Sequence, residues 1–544
     1  MIFKNSFNYV NKFFFFINNK TRNLYLNSNI YNKRISKIND KNLEYRPNPS
    51  LLDCLIKYKK KKIKIEDFSL NSIWTSKNIK EKDYKKLHSF FWLFSLDLKS
   101  SKQLVQSTIL NWINSNNKYN SKNWNIDILS KRIIAWISNS KLTYENSNAN
   151  YKEQFNGIIQ KQINHLINEI KRSEWIDDKM TGCAAIILTG ISYQDKSRYL
   201  NFGLNLLKKI SKFSFDNEGF PKSRNLRQLN FYLKYFILIR EWLKESQNDI
   251  PDYIDKNIYY LGQSYSLLFQ NIKKNILFNG NHEANNDDFN NYLAKLGYKF
   301  KNENHEAGGY LVLKNKKISL IMDVGSSPEK KFSNNYQAGA LSFEILLGDK
   351  KLICNSGYFQ NHKHQLHDVS KSTVAHSTLI IDNHSSCKLR KQTNQRSAIE
   401  RGLKITRKSI VFEKNYWCIG SAHDGYVKKY GVVHDRQIEF FPEHNKFIGI
   451  DKLTKNKNFK SSNFEIRFHL EPNVKIMKTQ DGKSIFIELD KEGWKFSCDN
   501  HKADIETGLY FGKKNSYTEN QNIFISGMTQ NENQTIKWEL IKIA

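Results

Sequence analysis

The chain has 544 residues, enough for roughly two to four domains of ordinary size, which excludes a stapled miniprotein. Hydrophobic residues make up 39% and charged residues 26%, with 27 Tyr, 35 Phe and 10 Trp, which excludes a disordered chain. The 86 Lys and Arg against 53 Asp and Glu give a formal charge of +33, which suits a polyanionic partner. That charge is weak evidence, because Asn, Lys, Ile, Tyr and Phe are abundant together while Pro (7) and Gly (24) are scarce, a bias that an AT-rich genome produces by itself.

Residues 1–70 read as a basic, Asn-rich N-terminal segment. Its longest apolar run, Phe13 to Ile17, is five residues long, short of the roughly 7 to 15 of a signal-peptide core, so no export signal is visible. Lys59-Lys60-Lys61-Lys62 lies in a strand-like stretch ending at Ile65. From 71 to 285 the apolar residues recur three or four apart. Leu229, Tyr232, Tyr235, Phe236, Ile239 and Trp242 form one stripe, and Leu87 to Leu98, Leu104 to Ile113, Ile126 to Ile137, Ile158 to Ile170, Ala184 to Ile191 and Leu200 to Phe213 repeat the pattern. These predict an all-helical domain.

The Asn-, Asp- and Gly-rich stretch Asn279 to Asn291 closes that regime, and the apolar period then changes to two. Short runs at Ile318 to Val324, Leu341 to Leu347, Thr378 to Asp382, Gln437 to Phe441 and Ser484 to Leu489, parted by turn residues, predict antiparallel strands over 300–544. The fold class expected is multidomain α+β. No run approaches the ~20 apolar residues of a membrane-spanning helix, so a soluble or peripheral protein is expected. The six cysteines are scattered without a C-x-x-C pair, as free buried thiols would be.

Phosphate loops, dinucleotide-binding glycines, H-E-x-x-H and zinc-finger spacings are all missing from the sequence. Histidine is concentrated instead: His362, His364, His367, His376 and His384, of fourteen in all, fall within 23 residues. Imidazole suits both proton transfer and metal binding. The run from Asn361 to Asp368 reads as a solvated loop rim, whereas His376, ahead of an apolar strand, reads evenly as a site or a core residue. His423 and Asp424 precede Gly425 as a turn would. His434 and Arg436, two apart on a strand, share a face.

Five ordered blocks carry a resemblance. Gln337-Ala-Gly-Ala-Leu-Ser-Phe-Glu-Ile, Ile353-Cys-Asn-Ser-Gly-Tyr358, Ala375-His-Ser-Thr-Leu-Ile-Ile-Asp382, Ala422-His-Asp-Gly-Tyr426 with His434-Asp-Arg436, and Ile466-Arg-Phe-His-Leu-Glu-Pro472 resemble the C-terminal region of heparinase II/III-like proteins. The stretch Trp124 to Trp136 with Arg132, and Asp216 to Asn225, resemble helical segments of the same family, the whole likeness covering roughly 85 to 540 and suggesting a divergent bacterial branch. It implies an incomplete (α/α) toroid followed by an antiparallel β-sandwich. The activity implied is that of a polysaccharide lyase on an acidic, uronic-acid-containing polysaccharide, acting by β-elimination: a base takes the proton at C5, the uronate carboxylate is neutralised, and an acid protonates the O4 leaving group. It implies the periplasm or cell envelope as location.

On that resemblance the catalytic candidates are His376, Arg224, Asn225 and Tyr358, and the substrate-binding candidates Gln337, His423, His434 and Arg436. Arg224 and Asn225 are expected to share one sugar residue with His376. The sequence also departs from the family. The Asn-His of a mid-toroid helix is missing from Trp175 to Gly182, the tyrosine after the turn at Gly219 is replaced by Arg227 or Gln228, a His-x-Asp reads Gln337-Ala-Gly339, and an Asp-x-Gly reads Asn355-Ser-Gly357. Tyr358, after Gly357, reads either as the supplier of the missing phenol or as a cap on the sandwich edge. No cofactor and no tightly bound metal are expected, nor a specific nucleic-acid partner. The alternative is a non-catalytic carbohydrate-binding or cell-envelope assembly protein on the same scaffold.

Overall fold

Several helices begin where the sequence supplies a capping oxygen. A computed structural model describes residues 17–37, 42–55, 74, 79–96, 101–392, 396–530 and 532–543. Phe13 to Phe16 and Lys59 to Lys62 lie outside the described residues. Ser101 accepts from the Leu104 amide ahead of helix Lys102–Asn116, Asn125 from Asp127 ahead of Ile126–Ser138, and Asn148 from Tyr151 ahead of Ala149–Glu169. Each oxygen satisfies an N–H that the first turn leaves without an intrahelical acceptor. Further helices run Ile176–Ser192, Asn201–Ser214, Leu226–Glu245 and Asp252–Tyr265. Helix gives way to strand between Lys295 and Glu306.

The chain gathers into two compact units, Met1–Phe213 with Tyr232–Ile258, and Ser214–Phe231 with Tyr259–Ala544. In the first, Trp112 meets Trp136 edge to face at 5.4 Å, and the buried Arg132 guanidinium lies 4.1 Å over Trp112. Arg132 donates to the carbonyls of His88 and Asn123 and to the Gln162 side chain, so carbonyl dipoles and a ring face share its charge. The N-terminal segment joins this core: Leu26, Tyr31 and Ile35 are buried, and the Tyr31 hydroxyl bonds His165 at 2.8 Å. The helix expected over Leu87 to Leu98 is a correction. The helix is Glu81–Ser89, Phe90 turns to φ 56°, and a 3-10 turn follows over Phe91–Ser95. Burial of the Phe90 ring, stacked on Trp74 at 5.4 Å, offsets that left-handed backbone.

In the second unit the described strands pair antiparallel in sheets of five, eight, four and two. The eight-stranded sheet runs from Lys475–Lys478 at one edge, through Gln534–Lys542, Lys446–Lys455 and Val432–Phe441, to Ile405–Phe412 at the other. Along Val432–Phe441 every second residue is buried, as a strand with one face on a core requires. That core holds Phe343, Phe440, Phe447, Phe468, Phe496, Trp494 and Trp538. Gly449 is a space requirement, since a Cβ there would sit 1.8 Å from the Trp538 ring. Among the described residues no helix is long and apolar enough to cross a membrane, and all six cysteines are free.

Candidate functional site

The site is built inside the second unit around Gln337, which is 1% exposed and bonded at both ends of its amide. Its Oε1 accepts from the Gly280 amide at 2.9 Å, and its Nε2 donates to the carbonyls of Gly357 at 2.9 Å and Ser370 at 2.6 Å. The loops at Gly280 and Gly357 and the short helix Leu366–Lys371 are thereby held together. Asn225 joins them at Gly280, where a Cβ would fall 2.4 Å from the Asn225 Nδ2. The Asn225 Oδ1 accepts from the Gln228 amide at the start of helix Leu226–Glu245, while its buried Nδ2 has no hydrogen-bond partner. Cap and open amide are thus one side chain.

Tyr358 follows Gly357 directly and is 3% exposed. Its hydroxyl donates to Asn335 Oδ1 at 3.0 Å, and its ring meets the His367 imidazole edge to face at 5.4 Å. Burial raises the phenol and the positive charges of Arg227 and Arg396 oppose the rise, leaving it pushed up to about 12. His367 Nδ1 lies 2.7 Å from the Phe359 carbonyl, which only accepts, so Nδ1 carries the proton and the partnerless Nε2 the lone pair. Burial pulls its pKa down to about 4 and keeps the ring neutral near pH 7. His367 is therefore enclosed, and the solvated rim expected around it does not extend to this residue. Sequence reasoning flagged Tyr358, and Arg227 only as a substitution; Arg396 carried no signal.

The other candidates have definite places. His376 is 1% exposed, with neither ring nitrogen hydrogen-bonded, and it packs against Gly339 so closely that a Cβ there would lie 2.8 Å from Nδ1. Burial lowers its pKa to about 3, with His469 adding to the effect. Arg224 donates to the carbonyls of Gly308, Gly309 and Gly325 and to Asp323 Oδ1 at 2.5 Å. His434 Nε2 and Arg436 Nε both reach Asp451 Oδ1 at 2.7 Å, and Arg436 Nη1 donates to the carbonyls of Leu341 and Ser377. His423 Nδ1 accepts from the Gly425 amide at 3.1 Å, closing the expected turn, and its ring lies 5.3 Å from that of His434. The structure therefore brings Asn225, Gln337 and Tyr358 together, and gathers His423, His434 and Arg436 in a separate cluster at Asp451.

The family model described as Heparinase II/III-like, C-terminal matches residues 301–539. Residues 301–539 thus form a heparinase II/III-like C-terminal domain. A mutant of the heparan sulfate lyase HepC from Pedobacter heparinus superposes with a TM-score of 0.66 at 12% identity, over 93% of this chain and 85% of that one. HepC itself gives 0.63 at 14% identity, over 91% and 82%. A heparinase III gives 0.66 at 13% identity, over 92% and 85%. Nothing among the curated proteins matches the sequence. At these identities the likeness is one of fold, and that fold is the expected helical toroid followed by an antiparallel β domain.

In this heparinase II/III-like C-terminal domain the positions where the family resemblance places a His-x-Asp and an Asp-x-Gly do not fit a metal ion. Gln337 spends both amide atoms on backbone, while Asn355 Oδ1 accepts from the Ser377 amide and its Nδ2 donates to Glu344. Amides already bonded on both atoms make poor ligands. Among the described residues no group of three or more His, Cys, Asp or Glu side chains is placed to hold a metal.

Proposed function

We propose that the protein cleaves an acidic, uronic-acid-containing polysaccharide by β-elimination. The observation that supports this reading is the buried Tyr358 phenol, influenced by the charges of Arg227 and Arg396 and set beside the His367 imidazole. Arg227 stands where the family resemblance expects a tyrosine, and Tyr358, from a separate loop, supplies a phenol within its electrostatic reach. In the proposed reaction Asn225 Nδ2 and Arg227 bind the uronate carboxylate, which makes the C5 proton more acidic. The neutral His367 is the proton acceptor. As the C5–H bond breaks, its electron pair forms the C4–C5 double bond, the C4–O4 bond opens, and Tyr358 protonates the departing O4. His376, sealed against Gly339, is left out of this assignment.

A non-catalytic carbohydrate-binding role is the second reading. It is favoured by burial, which suppresses ionisation of each candidate acid or base: Tyr358 to about 12, His367 to about 4, His376 to about 3. One assay separates the two. The protein is incubated with a panel of uronic-acid polysaccharides while ultraviolet absorbance follows the unsaturated product. Growth of absorbance that disappears in Tyr358→Phe supports the lyase; binding without product from any member of the panel supports the second reading.

A further inference from the structure

Strands Lys388–Lys391 and Ser397–Arg401 form a two-stranded sheet of their own. One side packs Ile399 and Leu389 against Tyr336, Cys387 and Leu403. The other presents Lys388 and Arg390 to solvent, with side chains 63% and 69% exposed. Between Lys388 and Lys408 the sequence has eight Lys and Arg and one acidic residue, Glu400. Lys388 lies opposite Arg401 across the pair, a like-charge pairing that weakens a sheet. Glu400 serves two cations at once, Lys388 at 2.7 Å and Arg390 at 3.2 Å. Positive charge is thus concentrated on one face at a cost to the sheet itself, and an external anion would relieve it.

The chain next to this pair carries further cations. Arg396, just ahead of the second strand, acts on the Tyr358 phenol. After the second strand, Arg407 and Lys408 border an open cavity of about 410 Å³ that Gly309 and Gly325 also line. Those glycines cover the Arg224 guanidinium, 2.2 Å from where a Cβ on Gly325 would be. Within the cavity Lys408 pairs with Glu306, and Arg407 pairs with Asp435 beside it. Exposed pairs of this kind contribute little, so a sulfate or carboxylate displaces them at small cost.

Resting on the reading of Tyr358 as a reacting group, we propose that Lys388, Arg390, Arg407 and Lys408 form a track that binds a polyanionic polysaccharide outside the reacting residues. Long polymers are then held more tightly than short oligosaccharides of the same sugar units. The two strands of the pair carry no aromatic side chain on which a base could stack, which favours a polysaccharide over nucleic acid.

The test is retention of the full-length protein on immobilised heparin across a salt gradient. The variants are Lys388→Glu/Arg390→Glu, the milder Lys388→Gln/Arg390→Gln, and Lys475→Glu as a control at the opposite edge of the eight-stranded sheet, where that side chain is 79% exposed. Both double variants are expected to elute at lower salt, the Glu pair earliest, and the slope of log Kd against log salt to fall by about 2 for the Gln pair, because counterions are no longer released at two positions. The control should elute with the wild type. Unchanged retention of both double variants overturns the track. So does a duplex DNA competitor that binds more tightly than heparin and loses its binding in the same variants. Tyr358→Phe on the same column isolates the reaction: retained turnover there counts against the elimination reading alone, whereas unchanged heparin retention in the double variants counts against the track alone.

Discussion

The Lys371 ammonium donates to the backbone carbonyl of Ser397, the residue directly after Arg396. Its second bond, 2.8 Å long, goes to the carbonyl of Asn334, the residue directly before Asn335. Asn335 accepts from the Tyr358 hydroxyl and Arg396 acts on the same phenol, so one buried amine fixes both neighbours of Tyr358. Lys371→Met is expected to leave two buried carbonyls unsatisfied and to destabilise the protein by about 1–3 kcal/mol per orphaned group. Burial also pulls the Lys371 pKa from 10.5 to about 7, Asp368 opposing and Arg396 reinforcing the shift. Between about pH 7 and pH 10 the unfolded chain therefore binds the extra proton, and this residue makes stability rise with pH over that window. Denaturant titrations at several pH values should show that rise in the wild type and a flatter profile in Lys371→Met.

Asp451 accepts from His434, from two nitrogens of Arg436 and from Trp538 Nε1, all inside the core. Asp451→Asn should cost about 3–5 kcal/mol, because it leaves the Arg436 guanidinium buried without its counter-charge. Thermal unfolding measures it. A loss under 1 kcal/mol would mean that the carbonyls of Leu341 and Ser377 alone suffice for Arg436.

Gly339→Ala drives a Cβ to 2.8 Å from Nδ1 and 2.9 Å from Cγ of His376. A loss of about 1–3 kcal/mol is expected from overpacking. The double variant Gly339→Ala/His376→Ala should recover part of it, and a double-mutant cycle with no coupling between the two positions would refute the contact.

Acid should unfold the protein early. Burial holds His88, His367 and His469 down to about 4 and His165 and His376 to about 3, against 6.5 unfolded. Below pH 6.5 the unfolded chain takes up protons that the folded one refuses, so stability falls as pH drops from about 6.5 toward 4. Circular dichroism at graded pH follows it, and a fully native signal with unchanged denaturant midpoint at pH 4 would contradict these shifts.

Much of the architecture was legible because amphipathic periods survive in single segments. The stripe from Leu229 to Trp242 lies within helix Leu226–Glu245, and Ser484 to Leu489 is a strand as read. The stretch from Leu87 to Leu98 misled because an apolar run does not reveal that Phe90 turns left-handed. In the site, Tyr358 stood out through its neighbours in sequence, whereas Arg227 and Arg396 reach it only through long-range folding. For His434 and Arg436 the shared face was readable, but not Asp451, which strand register sets directly opposite Arg436.

Arg224 binds Asp323 and the carbonyls of Gly308 and Gly325 from a segment that precedes them in the chain by 84 to 101 residues. During synthesis the short stretch Ser214–Phe231 leaves the ribosome long before the strands it completes, and the strands, once made, enclose a carboxylate whose only cation in this contact lies upstream. A gene fragment beginning near residue 300 would therefore yield strands with Asp323 buried and without the Arg224 guanidinium, so the β-rich half is expected to fold less stably without its distant cation.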